Sequence, residues 1–179
     1  LLLEAMVLMA PMAASRNFAV ALRYLGEVEL KRLQYDDALA CFQRLEQRAN
    51  ALKATDLLCN ALSGQAQALL ELEQPQSALA KAQVALAAAQ SHAVHQIDAL
   101  RVLADIHTRH LLVPPPGMRA ASAPLHYLQQ ALDAAATMQN YTLPGDLLEV
   151  VAQAHANVGD TAIAFALAKQ AIAAREVTH

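Results

Sequence analysis

LEVVAQAHANVGDTAIAFALAKQAI, running from Leu148 to Ile172, reads as two short helical runs around the turn Val158-Gly159-Asp160. Leu148, Val151, Ala152 and His155 recur at spacings of three and four along the first run, and Ala164, Ala168, Ala171 and Ile172 along the second. Such spacing puts one apolar stripe on each helix. Small residues at Ala152, Ala164 and Ala171 let the two axes approach closely, so the stretch reads as a tight helical hairpin. One hairpin leaves apolar surface uncovered, which is the situation a repeat resolves.

The pattern recurs. Ala171-Ile172 has counterparts in Ala131-Leu132, in Ala85-Leu86 and, at the same phase, in Leu45, at steps of 40, 46 and 40 residues. Seven residues ahead of these landmarks stand Ala164, Pro124, Ala78 and Ala38. Gly26, Ala66, Ala104 and Ala152 fill a small-residue slot in the first helix of each of four units.

This pattern resembles the tetratricopeptide repeat. The matching residues are Leu22, Leu25-Gly26, Tyr35, Ala38, Phe42 and Leu45 in the first unit. In the fourth they are Leu148, Val151-Ala152, Gly159-Asp160, Ala164, Ala168 and Ala171. The family's repeat is about 34 residues, so units of 40 imply longer helices. That is similar to the long-repeat arrays of bacterial signalling proteins, such as those with diguanylate cyclase output domains. Leu22, Leu62, Leu100 and Leu148 stand where the family often has a large aromatic. The resemblance implies an all-α fold, a right-handed superhelical array of antiparallel helical hairpins.

The expected organisation is four units, 15–53, 54–92, 93–140 and 141–179, preceded at 1–14 by the second helix of a truncated hairpin. The opening LLLEAMVLMAPMAAS mimics a signal peptide, but Glu4 interrupts its apolar run and no basic segment precedes it. The helices are expected at Asn17 to Leu33, Asp36 to Leu52, Thr55 to Leu72, Pro75 to Gln90, Ala93 to Leu112, Pro124 to Gln139, and onward to Val177. Ser15 or Asn17 should cap the first helix and Thr55-Asp56 the third, by accepting backbone N–H bonds. Pro75 and Pro124 suit helix openings, where a missing N–H costs nothing. The insertion 113–122 contains three consecutive prolines and is expected to be an extended polyproline segment at a hairpin tip. A docking loop is its sharper reading.

Composition bounds the function. The 56% apolar content supplies a core, and charged residues at 16% fall below the roughly 25% usual for soluble domains. Aromatics at 4% and the lack of Trp argue against a stacking platform for single-stranded nucleic acid. A net charge of −3 leaves no polyanion footprint, so no direct nucleic-acid contact is expected. No apolar run approaches the ~18 residues that span a bilayer. No membrane contact and a cytoplasmic location are therefore expected. The Ala-rich composition points to a GC-rich bacterial genome.

Chemistry is sparse. Among seven histidines, His92 and His95, and His107 and His110, sit three apart with Asp98 and Asp105 nearby. No HExxH is present and the cysteines are not in zinc-finger spacing, so these histidines read as structural, with no metal expected. His107 and His155 fall where the repeat packs an aromatic. Cys41 and Cys59 read as small buried thiols on neighbouring helices. No glycine-rich phosphate loop or serine nucleophile elbow occurs. The expectation is a non-enzyme without cofactor, any catalysis belonging to a flanking domain.

The resemblance implies a concave groove lined by the first helix of each unit. Carried over, the groove residues are Arg23, Glu27 and Lys31, then Asn60, Ser63, Gln67 and Glu71. The third unit offers Asp98, Arg101, Asp105 and Arg109, and the fourth Asp146, Glu149, Gln153 and Asn157. Helical spacing lets Arg101 and Arg109 satisfy Asp98 and Asp105. Glu27 stands where the family's chaperone-tail-binding class has an asparagine and would repel a terminal carboxylate, which disfavours that class. The expected function is a protein- or peptide-binding module, the sensory or regulatory part of a larger signalling protein with a diguanylate cyclase or helix-turn-helix output. The alternative is an assembly scaffold segment of a multi-subunit complex, and exposed terminal helices could support a homo-oligomer.

Overall fold

The structure, a computed structural model, describes residues 15 to 177. The helix expected over 1–14 and the last two residues of the fourth unit lie outside the described residues. Among the described residues every regular element is helical: α1 (Arg16–Lys31), α2 (Tyr35–Leu52), α3 (Thr55–Glu71), α4 (Pro75–Ala89), α5 (Ala93–Arg109), α6 (Ala123–Ala136), α7 (Gly145–Asn157) and α8 (Thr161–Val177). A single 3-10 turn, Ala120–Ser122, precedes α6. The described residues form two compact units, which divide between Val102 and Leu103 within α5.

Local chemistry sets the boundaries. Ser15 caps α1, its Oγ accepting from the Phe18 N–H at 3.2 Å. The cap expected at Thr55-Asp56 is not formed: the N-cap of α3 is Ala54, with no side-chain hydrogen bond. Asp56 instead receives both guanidinium nitrogens of Arg16, at 3.3 and 2.5 Å, which ties α1 to α3. Pro75 opens α4 as expected. α5 stops at Arg109, short of Leu112, and Pro114 restricts Val113 just beyond it to extended backbone. α6 ends at Ala136 rather than Gln139; there the Thr137 hydroxyl donates to the Ala134 carbonyl at 2.6 Å, a local bond that competes with helix continuation. The proline insertion is not extended throughout. The Met118 N–H bonds the Pro115 carbonyl at 3.2 Å around Pro116 and Gly117, whose φ of 78° matches a type II turn.

The hairpin turns repeat in register. After α1, Leu33 takes φ 62°, its N–H bonds the Leu30 carbonyl, and the Gln34 N–H bonds the Glu29 carbonyl. Glu73 (φ 58°) and Gly159 (φ 93°) close α3 and α7 with the same pair of bonds. This is the Schellman arrangement, which satisfies carbonyls left over at a helix end. Only the third copy uses glycine at the left-handed position.

In the first unit α1 packs on α2, α2 on α3, and α3 on α4. α3 also touches α1, so it is enclosed on several sides, and between Ala61 and Leu70 only Gln67 is exposed. The centre of this packing is Phe42, 2% exposed. Its ring lies between Gly26 of α1 and Gly64 of α3, where an added Cβ would come within 2.8 Å and 2.5 Å of it respectively. The buried Gln65 amide donates to the Phe42 carbonyl at 3.3 Å. Beyond Phe42, Leu62, Ala85 and Ala99 join α3, α4 and the start of α5.

The second unit is built on Leu103, Ile106, Leu128, Leu147 and Val151, all fully buried. His107 is buried and stacks on Tyr127 with ring centroids 5.5 Å apart, a packing role rather than an exposed one. α7 and α8 pack against each other as a helical hairpin. α8 buries only Ala164 and Ala171, and Phe165 (63%) and Ile172 (58%) stand exposed.

Candidate functional site

The groove residues of the first unit are best built from α1. A spacing of four puts Arg23 and Glu27 on one face, where Arg23 Nε donates to Glu27 Oε1 at 3.1 Å. Both side chains are half-buried, while Lys31 in the last turn is exposed. On α3, Asn60 and Glu71 are half-buried and Gln67 is exposed. Ser63 departs from expectation: it is only 6% exposed, so it is not an open groove residue. The enclosure of α3 by its neighbours is the reason, and a stripe of polar residues in sequence does not reveal it.

On α5, Asp98 sits at the junction of these groups. Its outer edge is exposed, yet protein crowds its other side, and the lost hydration pushes the carboxyl above the usual carboxylate range. His95, Arg101 and Arg23 pull in the opposite direction, and Glu27 adds to the rise. Asp98 and Asp56 in turn add to the burial that raises the Cys59 thiol on α3. Arg23, Glu27, Asp98 and Arg101 therefore share one electrostatic neighbourhood spanning α1 and α5, with α3 between them. The Asp98–Arg101 ion pair expected from spacing is not formed; their interaction is longer-range.

Two participants were not among the expected groove residues. His95 stands one turn before Asp98 on α5, and its Nδ1 is buried without a hydrogen-bond partner among the described residues. Its spacing from Asp98 is visible in the sequence, where it reads as a structural histidine. Cys59 neighbours Asn60 and is 2% exposed. Cys41 and Cys59 are both free thiols, and burial raises both, which keeps them protonated and weakly nucleophilic.

In the second unit the expected residues are more scattered. Asp105 and Arg109 pair along α5 at 3.8 Å. Gln153 donates to Asn157 at 2.9 Å along α7, and Asp146 is exposed in the first turn of that helix. The carboxylate of Glu149 accepts from Arg175 of α8 at 2.6 Å. An open depression of about 470 Å³ lies elsewhere, along α6 beside Met118 of the proline insertion and His155 of α7. Its polar side chains satisfy one another, Gln129 with Asp133 at 3.1 Å and Gln130 with His126 at 2.9 Å. His155 approaches Asp160 at 3.4 Å.

Among the described residues no three His, Cys, Asp or Glu side chains gather as a metal site would require. His92 and His95 lie 6.4 Å apart, ring to ring. No helix among the described residues is long and apolar enough to cross a membrane. No family model matches the sequence, and comparison with curated proteins finds no significant match.

Proposed function

We infer that this chain is a non-catalytic, tetratricopeptide-like module that binds a protein or peptide on the face formed by α1, α3 and the start of α5. The observation that carries this reading is that the Arg23–Glu27 pair of α1 and the Asp98 and Arg101 of α5, two pairs distant in sequence, lie close enough to influence one another's charge. Such a mixed-charge face on rigid helices suits recognition of hydrogen-bonding chain segments. The repeat length of 40 is similar to arrays that act as sensory or regulatory parts of bacterial signalling proteins, so a cyclase or helix-turn-helix output partner fits the reading. Helical hairpins that contact mainly their neighbours transmit small changes of pitch, which is the mechanism proposed for passing a binding event onward.

The test is to pan a phage-displayed random 12-residue peptide library on the immobilised chain. Enriched peptides are then titrated by fluorescence anisotropy against wild type and Arg101→Glu. A change in affinity of at least fivefold in either direction, with unaltered circular dichroism, is the expected result. Unchanged affinity removes the assignment of this face.

The assembly-scaffold reading is favoured by one feature, the exposed Phe165 and Ile172 on α8. Light scattering on wild type and Phe165→Glu distinguishes it: self-association lost in the variant supports a scaffold, and a monomer in both does not.

A further inference from the structure

The arginines of the first unit are not equally settled. Arg16, Arg23 and Arg32 each meet a carboxylate within 3.5 Å, those of Asp56, Glu27 and Glu29, and Arg101 is engaged within the chain. Arg44 and Arg48 differ. Among the described residues no hydrogen bond or ion pair reaches either guanidinium, and both are drawn instead to one ring. Their central carbons lie 5.9 Å and 5.8 Å from the centroid of Phe18, a side chain of α1 that is 2% exposed and fixed in the core. A cation–π contact draws on the ring's quadrupole and gives no N–H donor an oxygen acceptor. The spacing of four also sets two like charges on one face of α2, where they repel.

Nearby groups leave this charge uncancelled. From α2, Glu46 is held by Lys81 of α4 at 3.3 Å, and from α1, Glu29 is held by Arg32 at 3.5 Å. Asp36 and Asp37 stand in the first turn of α2 and oppose an anion only from about two turns before Arg44 and about three before Arg48. Phe18 belongs to the first turn of α1, which carries no acidic residue, so the partial positive charge of that helix end adds to the pair.

We propose that Arg44 and Arg48, held together on Phe18, form a second interaction surface, on the α1–α2 side of the first unit, that takes a carboxylate-bearing segment of a partner protein. It uses other side chains than the α1–α3–α5 face. A guanidinium presents its N–H donors in a planar fork that matches a carboxylate bidentately, and such charge-assisted bonds are about twice as strong as neutral ones. Phe18 restricts both guanidiniums before the ligand arrives, so less freedom is lost on binding. A carboxylate at the pair also relieves the repulsion between them. Arg44 is exposed and Arg48 half-buried, so affinity falls as salt rises.

The same random 12-residue library provides the test, panned on wild type and on the double variant Arg44→Gln/Arg48→Gln, which keeps the hydrogen-bonding amides and removes both charges. The expected result is a set of peptides with an Asp- or Glu-containing consensus that wild type enriches and the double variant does not. A synthetic peptide of that consensus should bind the double variant at least tenfold more weakly by fluorescence anisotropy, with unaltered circular dichroism. Arg44→Lys/Arg48→Lys should fall between the two, because lysine keeps the charge but not the planar fork. A basic or uncharged consensus, or undiminished affinity of the acidic peptide for the double variant, overturns the proposal. If that peptide is lost in Arg101→Glu alone, it seats on the α1–α3–α5 face, and this proposal fails while the binding-module reading stands. If no peptide is enriched over bare support, both fail.

Discussion

Gly64→Ala is the sharpest test of how the first unit is packed. By helix propensity alone the change should stabilise α3, by about 0.8–1 kcal/mol at a helix interior. Tertiary packing reverses that sign. The new methyl would lie 2.5 Å from Cδ1 and Cε1 of Phe42, against an ordinary contact that begins at 3.4 Å, so ring or helix must retreat by roughly 0.9 Å. The ring cannot slide toward α1, because Gly26 on that side leaves room for a Cβ only at 2.8 Å. Overpacking costs about 1–3 kcal/mol; a contact as short as 2.5 Å, with no room on the far side of the ring, belongs to the upper half of that range, so after the propensity gain a net loss of about 1–2 kcal/mol is expected. Phe42→Ala should cost about 3–5 kcal/mol by leaving a cavity. In that background the clash is gone, and Gly64→Ala should become stabilising by about 0.5–1 kcal/mol. Urea denaturation of the four proteins of this cycle gives both effects and their coupling. The reasoning is refuted if Gly64→Ala leaves the wild-type protein unchanged or more stable, or if its effect keeps the same sign without Phe42.

Two further outcomes are expected. Leu33→Gly should raise stability by about 0.5–1 kcal/mol, because an L-residue in the left-handed region costs about 1–2 kcal/mol and glycine's greater unfolded-state freedom returns part of that; a urea midpoint at or below wild type would contradict the turn geometry around φ 62°. Burial pushes the His107 imidazole below its ordinary value of about 6.5. The unfolded chain therefore binds the proton more readily, and stability due to this group is full above about pH 6.5 and declines as pH falls toward the lowered native value. Wild type should thus lose more stability than His107→Phe between about pH 7 and about pH 5. Identical pH profiles would remove the desolvation argument.

Periodicity, a property of each helix by itself, made the helices legible. The spacing of Ala38, Phe42 and Leu45, and of their counterparts 40 and 126 residues on, marks a buried stripe whatever it packs against. Pro75 and Ser15 likewise announce helix starts through local backbone chemistry alone. The turns were less legible. Gly159 signals a left-handed residue, whereas Leu33 and Glu73 adopt the same conformation with no sequence mark, since the paired helices impose it. Asp56 looked like a cap and became the partner of Arg16, because a residue 40 positions away was close enough to compete for it. The burial of Ser63, the capture of Glu149 by Arg175 and the place of Phe42 between two glycines depend on which helices surround a face. The candidate site follows the same division. The polar residues could be named from the stripe they occupy. That Arg23 and Glu27 of α1 lie near enough to influence the charge of Asp98 on α5 was decided only by tertiary structure, because such distances are not set by sequence spacing within one helix.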